Sequence, residues 1–355
     1  MPLSKRLRAL TRRSKVSSSD SSKSRLLELI KTFSDCPVAV YGDLVADEFV
    51  FGEISRVSRE APVLILKHRE SHLVPGGAGN AVNNLHALGA APIPVGILGL
   101  DPAGEELCRQ LQDKDIPLSL VHRIESYHTP TKTRFLAGSV HSSRQQVLRL
   151  DKESRFQHTT ESEAKLWQEV EPLFKKCRGV IISDYGFGFV NQELTGRMAE
   201  KRNSLPITLD SRHGLLCYSG LTASTPNEPE VEEALGITIG SDQAKLEAAG
   251  KRLLKKQKLE AVLITRGRHG MALFVPGRRP VHIPIYGTDE IADVTGAGDT
   301  VIAVFTLALA VGASFMEAAR LSNYAGGIVV MKRGTAVVTA AELQEAVLSD
   351  EFEIT

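Results

Sequence analysis

The residues best suited to chemistry lie in a run of mostly small amino acids near the C-terminal end of the chain, Asp293-Val-Thr-Gly-Ala-Gly-Asp-Thr300. Because Gly296, Ala297 and Gly298 carry small side chains or none, their backbone N–H groups can approach an anion, and a helix start adds partial positive charge. A carboxylate beside them, Asp299, can accept the proton of a hydroxyl that attacks a phosphoryl group. The run therefore predicts a phosphoryl-transfer site, although Asp and Thr also favour the N-terminal cap of any helix.

A second candidate segment, Pro75-Gly-Gly-Ala-Gly-Asn80, opens a predicted helix. Gly76 and Gly77 would let the main chain approach a ligand, and the Asn80 amide can both donate to and accept from a hydroxyl. Asp43 follows an apolar run, at the end of a strand where α/β folds place ligands. We expect contacts with a polar small molecule; a glycine turn and a turn-forming or capping Asp are the simpler alternatives.

Short apolar runs bounded by turn residues alternate with helical patterns along most of the chain. Strands are predicted at Val38–Tyr41, Val95–Leu98, Val180–Ser183, Ile207–Leu209 and Val262–Thr265. Helices are predicted at Gly79–Leu88, Gly104–Lys114, Glu161–Lys176, Pro229–Leu235 and Ala244–Gln257. This alternation predicts an α/β fold of three layers, with a mostly parallel central sheet between two layers of helices.

Two stretches, at about 49–73 and 130–150, alternate apolar and polar residues without helical periodicity. They are predicted to form a small second sheet that covers the ligand site as a lid. Residues 1–25 are basic and then rich in serine, which indicates a disordered tail, with a polyanion-binding arm as the alternative. The folded domain is predicted to span residues 26–355.

The composition resembles that of an ordinary globular protein, with 42% hydrophobic and 24% charged residues. A formal net charge of +1 argues against a nucleic-acid partner held by phosphate contacts. The four cysteines form no C-x-x-C pair, which fits a reducing cytoplasm, and the apolar stretch Val301–Ala313 is too short for a membrane span. We therefore expect a small-molecule partner in the cytoplasm.

The run Asp293–Thr300 resembles the C-terminal signature of the ribokinase-like, or PfkB, carbohydrate kinases. Segments at 75–80, 225–230 and 322–334 resemble further elements of that family, and the resemblance covers about Pro37–Leu343. It implies a ribokinase-like fold with a β lid, ATP as phosphoryl donor and Asp299 as catalytic base. It also implies a homodimer, because lids in the family often pair between subunits.

The resemblance assigns roles to residues by motif. For sugar contact it implies Asp43, Gly76, Gly77, Asn80 and Asp184, and for the nucleotide Thr265, Gly267 and Asn323. Asn227 and Glu230 would support Mg²⁺, often through water, which suits an ion that keeps much of its hydration shell. The same pair also makes a good first helical turn, and the small residues after Asn323 would equally allow close helix packing. Some family members bind K⁺ with residues that match Asp293 and Thr295.

Within the family the chain resembles the heptose-7-phosphate kinase module of bacterial ADP-heptose synthesis, most specifically in Ser55-Arg-Val-Ser-Arg-Glu-Ala-Pro-Val63. This implies phosphorylation of D-glycero-D-manno-heptose 7-phosphate at O1. Phe187 stands where the branch commonly has Lys, and Asp210-Ser-Arg212 replaces Asp-Pro-Lys. A kinase for fructose, ribose or a hexose phosphate therefore stays open, as does a non-catalytic sensor on the same fold.

A sugar phosphate brings a dianion into the site, and the lid segments contain four cations that could bind it: Lys132, Arg134, Arg144 and Arg149. Arginine suits phosphate because its planar fork can donate two parallel hydrogen bonds. The alternative is that these side chains are simply solvated on a two-sided sheet.

Overall fold

The computed structural model describes residues 22–138, 145–287, 293–332 and 334–350. The strands are β1 (Pro37–Gly42), β2 (Leu44–Val57), β3 (Leu64–Gly77), β4 (Ala91–Gly99), β5 (Val121–Ile124), β6 (Thr131–Gly138), β7 (Gln145–Lys152), β8 (Gly179–Asp184), β9 (Ile207–Ser211), β10 (Ala223–Ser224), β11 (Ala261–Thr265), β12 (Met271–Phe274) and β13 (Val281–Ile283). The helices are α1 (22–31), α2 (Ala78–Ala87), α3 (Pro102–Gln112), α4 (Thr160–Val170), α5 (Leu173–Lys176), α6 (Gln192–Lys201), α7 (Glu228–Leu235), α8 (Gln243–Gln257), α9 (Ala297–Ala310), α10 (Phe315–Val330) and α11 (Ala340–Ser349).

The main sheet has the order β13-β12-β11-β10-β9-β8-β1-β4-β5. From β11 across to β5 every pair is parallel, and β12 and β13 add an antiparallel edge. Alternate side chains of β1 enter different cores: Val38 and Val40 pack with α1, α2, α3 and α9 to α11, whereas Ala39 and Tyr41 pack with α4 to α8. The predicted three-layer α/β fold is confirmed.

The five predicted strands of the main sheet are confirmed, but the single helix predicted at Glu161–Lys176 is wrong. Helix α4 ends at Val170 and a short α5 begins at Leu173, with Pro172 at its N-terminal cap. Proline lacks a backbone N–H and its ring clashes with the preceding turn, so a continuous helix would be strained there.

The second sheet has the order β3-β2-β6-β7, so both segments predicted to form it do so. Strand β2 pairs in antiparallel fashion with β3 and in parallel with β6, and β6 pairs in antiparallel fashion with β7. Strand β2 begins two residues after β1 ends, and β3 runs directly into α2. The β2–β3 hairpin of the second sheet is therefore connected to the main fold at both of its ends, to β1 before it and to α2 after it.

Helix α1 crosses the predicted boundary between tail and domain at residue 26. It is described from residue 22, and Leu26, Leu29 and Ile30 are buried in the core. Their i, i+3, i+4 spacing forms one apolar helical face, which anchors this helix to the core. Residues 1–21 lie outside the described part of the chain. Within that part, no helix is both long and apolar enough to cross a membrane.

Candidate active site

The candidate site lies at the C-terminal edge of the main sheet. Asp43 follows β1, Asp184 ends β8, Asp210 lies in β9 and Thr265 ends β11. Strand β1 is also where the strand order reverses, since β4 and β5 extend to one side and β8 to β13 to the other. Open α/β sheets bind ligands at such a switch point, outside the carboxyl ends of their strands.

Asp299 lies in the first turn of α9 and is only 3% exposed. The helix is preceded by Gly296, whose φ of 77° is in the left-handed region, and a Cβ there would overlap the Asn80 amide nitrogen. Glycine is therefore required by both backbone conformation and close packing. The Ala297 N–H donates to the Val294 carbonyl at 3.2 Å, so the anion site would be made by the remaining first-turn amides.

Both oxygens of Asp299 accept a hydrogen bond from a side chain. Asn80 Nδ2 donates to Oδ2 at 2.9 Å, and the Tyr185 hydroxyl donates to Oδ1 at 2.8 Å. Burial raises the pKa of Asp299 to about 6, and these two donors act in the opposite direction. The carboxylate is therefore mostly ionised at neutral pH, yet basic enough to accept a proton.

Asp43 is a second buried carboxylate with a different environment. Its Oδ2 accepts the backbone N–H groups of Tyr185 at 2.8 Å and Phe187 at 3.2 Å. Its Oδ1 is buried without a partner in the described structure. Burial, followed by the nearby charge of Asp184, raises the pKa of Asp43 to about 7. A buried acceptor left open in this way suits a ligand hydroxyl.

The glycine pair before α2 is explained by packing against protein groups. A Cβ on Gly76 would overlap the Asp47 carboxylate, and one on Gly77 would lie 2.8 Å from the Asp43 carbonyl oxygen. Gly77 also has a φ of 56°. These glycines therefore bring the β2 and β3 strands and the turn after β1 close to Asn80.

Asp184 is held by three protein donors. Ser211 Oγ and the Tyr218 hydroxyl each donate to its Oδ2 at 2.8 Å, and the Gly186 N–H donates to Oδ1 at 3.0 Å. These bonds fix the turn that carries Tyr185 and Phe187. The structure thus gives Asp184 a supporting position next to the site.

A cavity of about 340 Å³ opens beside Asp299. It brings together nine of the predicted residues: Asn227, Glu230, Thr265, Gly267, Gly296, Ala297, Gly298, Asp299 and Asn323. Asn323 also donates to the Pro284 carbonyl at 2.8 Å, which ties α10 to the segment after β13. The cavity lies where α9 begins, so a phosphate chain bound in it would meet the helix N-terminus.

Asn227 and Glu230 form the reciprocal cap of α7 that the sequence allowed. Asn227 Oδ1 accepts the Glu230 N–H at 2.8 Å, and Glu230 accepts the Asn227 N–H at 2.9 Å. Burial raises the pKa values of Glu230 and of nearby Asp210, and the charge of Glu230 raises that of Asp210 further. A buried and a half-buried carboxylate at one cavity favour a nearby cation, so this donor set fits a hydrated Mg²⁺ ion.

Sequence reasoning gave no site role to three charged or aromatic residues that line the cavity: Tyr185, Asp210 and Arg212. Lys132 Nζ and the Arg212 guanidinium carbon each lie 4.9 Å from the centre of the Tyr185 ring. The sequence does contain a signal for Tyr185, Asp210 and Arg212. Asp-Tyr-Gly and Asp-Ser-Arg come where β8 and β9 end, at the edge of the sheet where ligands bind.

Two of the four cations predicted to bind phosphate form ion pairs within the second sheet itself. Arg134 pairs with Asp47 at 2.5 Å, and Arg149 pairs with Asp151 at 2.5 Å. Arg144 lies outside the described residues. Lys132 is largely buried beside the Tyr185 ring, and burial lowers its pKa, with the Arg212 charge acting in the same direction. Lys132 thus lies against the tyrosine whose hydroxyl donates to Asp299.

Comparison with known proteins agrees with this arrangement. The family model described as pfkB family carbohydrate kinase matches residues 38–341. The "Bifunctional protein HldE" of Desulfatibacillum aliphaticivorans is 39% identical over 325 residues, 91% of this chain and 65% of that protein. The protein of the same name from Pseudomonas aeruginosa strain LESB58 is 38% identical over 320 residues, 90% of this chain and 65% of that protein. The chain thus spans about two thirds of the length of these relatives.

Solved structures show the same fold at low sequence identity. Arabidopsis thaliana ribokinase complexed with ribose and ATP has a TM-score of 0.68 at 19% identity and covers 90% of this chain and 100% of its own. Phosphofructokinase-2 from Escherichia coli with substrates and products has a TM-score of 0.70 at 17% identity and covers 88% and 98%. The family match establishes that the chain belongs to the pfkB family of carbohydrate kinases, and the solved structures agree with its fold.

Proposed function

We propose that this kinase transfers the γ-phosphoryl group of ATP to O1 of D-glycero-D-manno-heptose 7-phosphate, in the synthesis of lipopolysaccharide precursors. The chemistry is supported above all by Asp299, a buried carboxylate with a pKa of about 6 at the mouth of the cavity. The substrate is supported by the segments that resemble heptose-7-phosphate kinases and by the similarity to the HldE proteins.

The mechanism follows from the order of groups across the site. A sugar hydroxyl donates to the open Oδ1 of Asp43, which orients the ring. Asp299 accepts the proton of the O1 hydroxyl as that oxygen attacks the γ-phosphorus in line, and ADP leaves with the electrons of the broken P–O bond. The first-turn amides of α9, at Gly298 and Asp299, and the Arg212 guanidinium stabilise the charge on the transferring group.

Asn227 and Glu230 would hold Mg²⁺ through its water ligands, and the ion supplies charge neutralisation to the ATP phosphates when bound. For K⁺ we propose the segment around Asp293 and Thr295. The Asp293 carboxylate accepts the Thr295 and Gly334 N–H groups at 2.9 and 3.1 Å, and the nearby Thr335 hydroxyl oxygen is buried without a partner. A buried orphan oxygen of this kind fits a monovalent cation site.

Phe187 is a point at which this site differs from the heptose-7-phosphate kinases that the chain resembles. Its side chain is 5% exposed, and its backbone N–H donates to Asp43. Phenylalanine carries no charge, so the phosphate of the sugar must be neutralised by another residue. We propose Lys132 for this role, because Arg134 and Arg149 are already paired with Asp47 and Asp151.

We propose that the second sheet acts as the lid and pairs with a second copy of the chain. Among the described residues, eleven large hydrophobic side chains are exposed, and seven belong to this sheet or its β2–β3 loop: Ile54, Val57, Val63, Leu64, Val147, Leu148 and Leu150. Leu148 and Leu150 share one face of β7 by strand alternation. Exposed apolar groups concentrated in one element are typical of an interface. A cytoplasmic location is proposed with it, where Mg·ATP is available.

The test is ADP release from Mg·ATP with heptose 7-phosphate, fructose, ribose and fructose 6-phosphate in parallel, with Asp299→Asn as the control. Turnover confined to the heptose phosphate, and lost in the variant, is the expected result. Turnover with another sugar would overturn the substrate and keep the mechanism. No ADP release with any of the four would instead favour a sensor.

A further inference from the structure

We propose that Tyr185 is a positioning residue for Asp299: its hydroxyl holds the carboxylate in one orientation and keeps it ready to accept a proton at neutral pH. This inference rests on the proposed function, in which Asp299 is the base. Neither the family motifs nor the sequence patterns above assign Tyr185 a role.

The geometry gives Asp299 two donors that do not titrate near neutral pH. The Tyr185 hydroxyl contacts Oδ1 at 2.8 Å and the Asn80 amide contacts Oδ2 at 2.9 Å. Burial, and then the charge of Asp299, raises the pKa of Tyr185 well above its ordinary value. The phenol therefore keeps its proton, acts as a permanent donor and favours the ionised carboxylate. With one donor on each oxygen, the carboxylate has a single preferred rotamer.

Tyr185 is itself fixed from three directions. Its backbone N–H donates to Asp43, while its ring is contacted by Lys132 from β6 and by Arg212 from the end of β9. Cations over an aromatic face are attracted by its quadrupole. The residue thus connects the proposed sugar-binding carboxylate, the base and the second sheet.

The hydroxyl matters because the surrounding charges do not favour an anion on balance. Charged groups that act on Asp299 include Asp47 from β2 and Arg212 just after β9, and Asp299 also interacts with Asp210 in β9. Burial and two carboxylates oppose ionisation, whereas one guanidinium favours it. From α2 the facing group is the neutral Asn80 amide. Removing the phenol would leave Asn80 and Arg212 alone against burial and like charge.

The experiment compares the pH dependence of kcat/KM for the parent, Tyr185→Phe and Tyr324→Phe. Tyr324 is the matched control because its hydroxyl also donates to a carboxylate, that of Asp350 at 2.5 Å. In Tyr185→Phe the acidic limb should move to higher pH by about one to two units, the value of a hydrogen bond to a charged group. Below the limb this equals a tenfold to hundredfold loss, and the rate should approach that of the parent at high pH. The limb of Tyr324→Phe should match the parent.

A second readout does not need the sugar. The infrared band of the protonated Asp299 carboxyl, identified by its loss in Asp299→Asn, should titrate at higher pH in Tyr185→Phe than in the parent. An unmoved band, or a rate reduced equally at every pH, would leave Tyr185 with a structural role only and overturn the inference. If no sugar is turned over, the proposed function fails while the band still decides the role of Tyr185. Tyr185→Met replaces Tyr185→Phe if the latter does not fold.

Discussion

The edge of the main sheet and the outer strand β7 of the second sheet place their charged groups in different ways. At the edge of the main sheet Asp43, Asp210 and Asp299 are at most 9% exposed, and burial raises the pKa of each. In the second sheet Arg149 keeps 49% of its side chain exposed and pairs with a neighbour on its own strand. From this difference we propose that the core provides the chemistry, whereas the second sheet provides recognition and assembly. Changes in the first region should therefore alter kcat or pH dependence, and changes in the second should alter KM or oligomeric state.

The largest effect is expected for Asp299→Asn. An amide cannot accept the proton of the attacking hydroxyl, so kcat should fall by about 10²–10⁴-fold. Nucleotide binding should change little, because the cavity and the start of α9 are retained. Steady-state kinetics and calorimetric titration with ATP measure the two quantities. Near-normal turnover would show that Asp299 is not the base.

The second-largest effect is expected for Asp43→Asn. Loss of the carboxylate should raise KM for the sugar by about tenfold to hundredfold, the usual value of a hydrogen bond to a charged group. Burial raises the pKa of Asp43 from 3.8 to about 7. The free energy of unfolding of the parent therefore falls as pH rises through that window, by at most about 4 kcal/mol, because the buried carboxyl must ionise. The variant should therefore gain stability relative to the parent between about pH 4 and 7, measured by thermal unfolding. A difference that is independent of pH would contradict this environment for Asp43.

A smaller effect is expected for Lys132→Met. The methionine retains much of the apolar stem but removes the cation beside Tyr185, so KM for the sugar phosphate should rise by about tenfold while kcat changes by less than about threefold. Lys152→Met, at the exposed end of β7, is the control. Equal KM values for the two variants would show that Lys132 does not bind the phosphate of the sugar.

The smallest effect on turnover is expected for the double variant Leu148→Lys, Leu150→Lys. Two charges on one face of β7 should dissociate a dimer that pairs through the second sheet, since both side chains are at least half exposed in the single chain. Sedimentation velocity measures the assembly, and Leu348→Lys, on α11 and 63% exposed, is the control. A dimer that persists in the double variant would place the interface elsewhere.

Much of the fold follows from local pattern. Apolar runs such as Val180–Ser183 are buried strands, and the alternating segments form the second sheet, because periodicity depends only on which faces are buried. The break between α4 and α5 was also predictable, since Pro172 marks it in the sequence.

The side-chain network of the site was less accessible. The signature predicted Asp299, and strand ends predicted the edge at which it lies. Spacing could not show that the Tyr185 hydroxyl reaches Asp299, because their contact depends on how β8 and α9 pack. Likewise, the sequence pattern predicted Arg134 as a phosphate ligand because it could not reveal the pairing with Asp47. That pairing depends on the β2–β6 register and on the missing Cβ of Gly76.

The distance along the chain between the groups that complete the base has a consequence for synthesis. Asn80 and Asp299 are 219 residues apart, and Tyr185 precedes Asp299 by 114. Contacts of such long range form late in folding because their loops must close first. In the described chain every strand of the main sheet precedes α9, whereas α9, α10 and α11 cover one face of that sheet. The Asp299 carboxylate therefore meets its two donors only after most of the chain has been synthesised.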